Sequence, residues 1–276
     1  MKSLKLLIII STVMLILIPA RGQTETLYGI TFNEQLITIN TSTGLGNLVG
    51  NLDTAMGGFG LATRSGNLYA FDQGADRIRQ LDPLTAHTLN TIDIGVGDII
   101  GEGGLAFRSD GIGFMSRSSG GIGTLWSFDI TVPSATNISG DDGLRPSMDG
   151  LDFNSTDILY GISQSSNLYG SHKLYTINQT TGATTLIGDT GMTDNDTLSG
   201  LAFRSDGVLF TEINNSLYTI NPLTGEATFV GRIGFEGISG LTFVGEGKVP
   251  EPSTMLLLGS GLIGLAGFAR KKVFKK

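Results

Sequence analysis

A repeat constrains this chain of 276 residues more than any other feature. Gly-Leu pairs stand at Gly60-Leu61, Gly104-Leu105, Gly150-Leu151, Gly200-Leu201 and Gly240-Leu241, so one unit takes 40 to 50 residues. The stretches after these pairs are copies of one another. Leu105-Ala106-Phe107-Arg108-Ser109-Asp110-Gly111 recurs unchanged from Leu201 to Gly207. Leu61-Ala62-Thr63-Arg64-Ser65-Gly66, Leu151-Asp152-Phe153-Asn154-Ser155 and Leu241-Thr242-Phe243 are degraded versions. Later in each unit a second pattern returns: Ile39-Asn40 before Thr43-Gly44, Leu81-Asp82-Pro83 before Thr85, Ile177-Asn178 before Thr181-Gly182, and Ile220-Asn221-Pro222 before Thr224-Gly225. Phe128-Asp129 takes that place in the third unit. Units of this length are single supersecondary elements that bury a core only by stacking on one another.

Each unit reads as four short strands. In residues 201–240 the pattern predicts strands at 201–203, 208–213, 216–220 and 226–230, with turns at Ser205-Asp206-Gly207, Asn214-Asn215 and Asn221-Pro222-Leu223-Thr224-Gly225. Asp and Asn cap their own backbone, Pro presets φ, and Gly accepts the positive φ of a bulged hairpin. Four strands per unit of this length is the pattern of a β-propeller blade. No helical period survives between residues 27 and 244. Gly, at 41 residues, is about twice as frequent as usual, and the 40% hydrophobic content still builds a core. That combination suits a β protein rich in tight turns better than a helical bundle or a disordered chain.

Counting the units gives the ring. Between the first and the last Gly-Leu pair lie four complete units, while residues 27–59 supply three further strands and residues 241–244 one. Placing those remnants in a single blade yields an all-β, five-bladed β-propeller closed by pairing of the N- and C-terminal strands. Closure removes the free sheet edges that would otherwise invite aggregation. An open solenoid, or six blades if the long third and fourth units hide extra strands, is the alternative.

Both ends of the chain read as addresses. Lys2 and Lys5 precede an apolar run at residues 6–18, followed by Pro19, Ala20, Arg21 and Gly22. This is the pattern of a secretory signal peptide, expected at residues 1–22 with cleavage after Gly22 or Ala20. The run extends roughly 20 Å as a helix, short of a hydrocarbon core of about 30 Å. At the other end Val249-Pro250-Glu251-Pro252-Ser253 leads into an apolar run at residues 254–269, and then into Arg270, Lys271, Lys272, Lys275 and Lys276. Two prolines impose an extended approach, and the basic cluster marks the cytoplasmic side of a membrane segment.

Those three parts in that order resemble the PEP-CTERM sorting signal of Gram-negative bacteria. The resemblance covers residues 249–276 and implies a transient inner-membrane intermediate held by a C-terminal helix. It also implies recognition by an exosortase, cleavage near Pro250-Glu251-Pro252, and delivery to the cell envelope or extracellular matrix. Signal peptidase and the Sec machinery are the partners expected at the other end. The body, residues 23–248, resembles bacterial propeller domains with Thr-Gly-x-x-Thr-x-Ile-Gly repeats, here Thr181-Gly182-Ala183-Thr184-Thr185-Leu186-Ile187-Gly188. A fold by itself implies no activity.

The formal charge of −7 averages unlike parts. Every acidic residue lies between Glu25 and Glu251, a stretch with 10 basic and 25 acidic residues and a net charge of −15. Such a body is a poor nucleic-acid surface and binds anionic polymers poorly except through a cation. With no Cys, disulfide scaffolds, thiolate zinc sites and thiol catalysis are excluded.

Candidate sites within the body are few. Arg108 and Arg204, joined by Arg64, are the sharpest repeated polar positions. Guanidinium forks of this kind grip anionic ligands, here around the central channel, although a tie between neighbouring blades by salt bridge explains the same recurrence. Acidic loops (Asp93 and Asp98, Asp141-Asp142, Asp189, and Asp194-Asn195-Asp196) offer oxygen ligands of the kind Ca²⁺ takes, but none has the spacing of a known calcium loop. His87 and His172 form no metal motif and read as surface or blade-packing residues. Gly57-Gly58-Phe59-Gly60 lacks the setting of a phosphate loop, Asn137-Ile138-Ser139 and Asn195-Asp196-Thr197 read as turns, and the single Trp126 makes no sugar-stacking platform. The sequence therefore points to an exported binding or structural module linked to exopolysaccharide, with a lyase or hydrolase acting on matrix polysaccharide as the alternative.

Overall fold

Twenty strands follow one another in the computed structural model, which describes residues 25–54, 60–72, 77–95, 103–119, 122–140, 143–163, 171–192 and 200–245. The signal peptide expected at 1–22 and the segment at 249–276 lie outside the described residues, as do Asp98, Asp141, Asp142, Asp194 and Asp196.

The first blade begins with β1 (Glu25–Thr31), β2 (Gln35–Ile39) and β3 (Gly46–Asn51). The second holds β4 (Leu61–Arg64), β5 (Asn67–Asp72), β6 (Arg77–Leu81) and β7 (Thr88–Asp93), and the third β8 (Leu105–Phe107), β9 (Gly113–Ser119), β10 (Ile122–Asp129) and β11 (Val132–Asn137). The fourth consists of β12 (Met148–Phe153), β13 (Leu159–Ser163), β14 (Lys173–Ile177) and β15 (Thr184–Asp189). The fifth consists of β16 (Leu201–Phe203), β17 (Leu209–Ile213), β18 (Ser216–Ile220) and β19 (Ala227–Arg232). The last strand, β20 (Ile238–Gly245), completes the first blade, whose strand order is β20-β1-β2-β3. Five antiparallel sheets of four strands result, so the ring has five blades rather than six and is closed rather than an open solenoid.

Closure follows the repeat register. Leu241 of β20 lies opposite Gly29 as Leu61 lies opposite Ala70, and Leu201 opposite Thr211. Each Gly-Leu pair thus sits on the innermost strand of its blade, at the start of β4, β8 and β16 and within β12 and β20. The inner strands crowd around the axis, and glycine is required there by close approach: a Cβ on Gly200 would sit 2.5 Å from the Leu241 backbone nitrogen of the next blade. The leucines that follow, at most 2% exposed, turn toward the preceding blade.

The hydrophobic core is accordingly five wedges, one between each pair of neighbouring blades. Four wedges contain the same edge-to-face aromatic pair, an aromatic on the second strand of one blade against the inner-strand Phe of the next: Tyr69–Phe107, Phe114–Phe153, Tyr160–Phe203 and Phe210–Phe243. Such pairs add about 0.5–1.5 kcal/mol each beyond the area they bury. Thr63 replaces that Phe in the second blade, where it meets Thr242 through their hydroxyls at 3.3 Å.

A second device locks the rim. The Thr-Gly turn of one blade presses on a glycine in the bulged outer strand of the blade before it, so that a Cβ on Gly44 would lie 2.6 Å from the Gly231 carbonyl carbon, and one on Gly225 2.7 Å from that of Gly188. Gly50 meets the carbonyl of Thr85 in the same way. The two halves of the Thr-Gly-x-x-Thr-x-Ile-Gly pattern are therefore plug and socket of neighbouring blades.

Candidate functional site

The axis itself is closed. Gly60, Gly104, Gly150, Gly200 and Gly240, with the leucines that follow them, converge on a constriction that holds no water-sized space. This is a consequence of five blades with glycines facing the axis: few enough inner strands surround it for their backbones to touch. Arg64, Arg108 and Arg204 consequently do not line an open channel at this level. They stand where the inner strands end, on the face formed by the turns between the first and second strand of each blade.

Two of these arginines are held by their own turns. Arg108 donates from Nε and Nη2 to Asp110, at 2.7 Å for the closest contact, and Arg204 grips Asp206 at 2.7 Å in the same manner. Each guanidinium also covers the aromatic on the second strand of its own blade, Phe114 and Phe210, at 5.5 and 5.4 Å from the ring centre. The hydrogen bond from Arg108 is the main reason the Asp110 carboxyl sits below the usual range, and Arg204 does the same for Asp206. The salt bridge expected between blades thus lies within one turn. Neighbouring blades are joined instead by the serine beside it. Ser109 donates from its backbone and hydroxyl to Asp157, and the Ser205 backbone donates to Glu25. Arg108 adds one neutral contact between blades, to Gln179 Oε1 at 2.7 Å.

Asp152 belongs to the same face and escaped notice in the sequence. It occupies the position of Ala62, Ala106 and Ala202, and its carboxylate accepts from the backbone of Phe153 at 2.8 Å and, across to the fifth blade, from Phe203 at 2.6 Å. Burial dominates over those two hydrogen bonds and pushes its pKa up to about 7. The only signal in the sequence was the departure from alanine.

The opposite face carries buried polar groups at the far ends of the second strands. Asp72, 1% exposed, is bridged by Arg79 at 2.5 Å, and Asp149 and Glu212 are buried nearer the axis and in the fifth blade. His172 is fully buried, with Nδ1 2.9 Å from the Ser163 carbonyl, whereas His87 is exposed near Asp53. Asp93 and Asp189 accept from the backbones of Gly95 and Gly191, so both cap turns, and Asp189 also accepts from the Ser171 hydroxyl. Among the described residues no three His, Asp or Glu side chains converge as a metal-binding set. Asp194 and Asp196, the other candidates for ion contact, lie outside them.

Comparison with known proteins adds one functional finding. Residues 248–271 match the family described as "PEP-CTERM protein-sorting motif", which takes in the Pro250-Glu251-Pro252 core and the start of the basic tail at Arg270 and Lys271. The chain therefore carries the signal of an exported protein sorted through the membrane by exosortase. No curated protein matches it. A solved structure described as "The de novo evolutionary emergence of a symmetrical protein is shaped by folding constraints" is similar at a TM-score of 0.52 and 16% identity, covering 79% of this chain and 98% of that one. At that identity the likeness concerns the fold alone.

Proposed function

We propose that this chain is made with a signal peptide at residues 1–22, crosses the inner membrane of a Gram-negative bacterium through the Sec machinery, and is halted there by residues 254–269. Exosortase then cleaves near Pro250-Glu251-Pro252 and passes the propeller to the envelope or extracellular matrix, where it serves as a binding or structural module for exopolysaccharide. The observation that carries this reading is the sorting motif at residues 248–271. The propeller supports it in one respect: plug-and-socket rims and a plugged axis make a rigid body whose turns present polar groups outward, as a binding module needs. The basic cluster of Arg270, Lys271 and Lys272 keeps the tail cytoplasmic until cleavage.

The test is expression in a host with and without exosortase. With the enzyme, a fragment lacking the basic tail should appear outside the inner membrane and sediment with extracellular polysaccharide. Replacing Pro250, Glu251 and Pro252 by alanine should leave the uncleaved chain in the membrane fraction. Equal processing of that variant, or processing without exosortase, would refute the sorting route. A processed propeller that never associates with polysaccharide would refute the matrix role.

A further inference from the structure

The second blade breaks the arginine pattern in a way the fold does not require. Phe107 lies opposite Gly113 and Phe203 opposite Leu209, whereas Thr63 lies opposite Leu68, so this turn is one residue shorter. The missing residue is the aspartate of Ser-Asp-Gly. Ser65 and Gly66 close the shortened hairpin with φ of 52° and 79°, the left-handed pair that a two-residue turn demands.

Arg64 is left without its carboxylate. Instead of covering an aromatic of its own blade, it reaches over Phe107 of the third blade, 5.9 Å from the ring centre. It packs so closely on Gly111 that a Cβ there would lie 2.5 Å from Nη2. Between the two turns opens a cleft of about 240 Å³, lined by Thr63, Arg64, Ser65 and the Arg108-Ser109-Asp110 turn. Among the described residues no carboxylate is within ion-pair distance of Arg64, and Asp129 feels it only through space.

We infer that this cleft binds a single carboxylate carried on a sugar ring, with Arg64 as its charged contact and the Thr63 and Ser65 hydroxyls as neutral ones. The inference rests on the exopolysaccharide reading above and names the ligand class for it. Three observations select that class. A guanidinium fork matches a carboxylate with two parallel hydrogen bonds. The cleft is smaller than the roughly 300 Å³ at which pockets for drug-sized ligands begin, so it fits one ring. Asp110, Asp129 and Asp157 around it, on a body of net negative charge, repel a second negative charge and disfavour phosphate or sulfate esters.

The full chain in mild detergent should be titrated calorimetrically with methyl galacturonate, methyl galactoside and inorganic phosphate. The galacturonate glycoside should bind at least about tenfold tighter than the other two, a difference of about 1.4 kcal/mol. Arg64→Gln should erase that preference, and Arg77→Gln, which removes a charge elsewhere, should not. Inserting an aspartate between Ser65 and Gly66 rebuilds the repeat turn, and this variant should lose the uronate while melting no lower than the parent. That variant guards against misreading a folding defect as a loss of binding. Absence of uronate binding, equal binding of phosphate, or uronate binding indifferent to Arg64→Gln would overturn the site. If the chain then still sediments with matrix polysaccharide, only the cleft is wrong; if it does not, the matrix role falls with it.

Discussion

Asp152 shows how much one substitution within a repeat can alter. Three of its four counterparts in the repeat are alanines, and burial between the fourth and fifth blades pushes its carboxyl, on a half-buried residue, up to about 7. A carboxyl whose pKa is raised on folding holds its proton more tightly in the native state than in the unfolded one. Stability from this residue therefore falls as pH rises from about 4 to about 7, and is level on either side. Asp110, Asp206, Asp53 and Asp82 behave oppositely, because hydrogen bonds hold them low, from their own turns at Asp110, Asp206 and Asp82 and from Thr88 of the second blade at Asp53, so their contribution is lost as pH drops below about 4. Asp152→Ala should flatten the decline between pH 4 and 7 in urea midpoints and leave the acid limb untouched; an unchanged slope would remove the burial argument. Glycines make a second contrast. Gly200→Ala pushes a Cβ against the Leu241 backbone and should cost about 3 kcal/mol or more. Gly207→Ala, at φ 88° with open space around it, should cost about 1–2 kcal/mol from the backbone alone. Similar losses at both positions would mean the axial contact is not the constraint.

Among elements, β20 has the largest consequence. It is the inner strand of the first blade, pairs with β1 over seven positions from Glu25–Gly245 to Thr31–Ile238, and supplies Leu241 and Phe243 to the wedge between the fifth and first blades. Deleting residues 241–244 exposes the β1 edge and empties part of that wedge, so the chain should be mostly aggregated or protease-sensitive, without the parent's melting transition. A deletion that melts like the parent would sink closure by the chain ends. The Ser-Asp-Gly turns show how an element can be read correctly in place and wrongly in bonding. Arg108 and Arg204 lie at the repeat's turns as the spacing implied, yet each forms its ion pair within its own turn, and the neighbouring blade is reached by Ser109, Ser205 and the neutral contact from Arg108 to Gln179.

At the scale of the whole molecule, stability is shared. Every wedge of core belongs to two blades, and every blade to two wedges. A ring of this kind has no end from which to fray, so the propeller should unfold in one calorimetric transition whose van't Hoff and calorimetric enthalpies agree. Two separated transitions would show that the blades are less coupled than their shared cores imply. The same closure brings the two ends of the chain together, since Glu25 lies opposite Gly245. The two ends of the described propeller therefore lie side by side in the first blade, on the face that carries the arginine turns.

By itself the sequence determined the four-strand unit, its turn chemistry and the sorting motif, because each is local or periodic, and it pointed to five blades closed by the chain ends, with six blades or an open solenoid excluded only by the sheet topology. A strand needs only its own alternation, a turn its own Gly or Asn, and a five-fold count only the spacing of Gly-Leu pairs. Tertiary structure decided the rest. Whether Arg64 faces its own blade or the next, whether the axis is open, and whether Asp152 holds its proton all depend on atoms brought from another blade. Those distances follow from how inner strands converge around an axis, and no single repeat contains them.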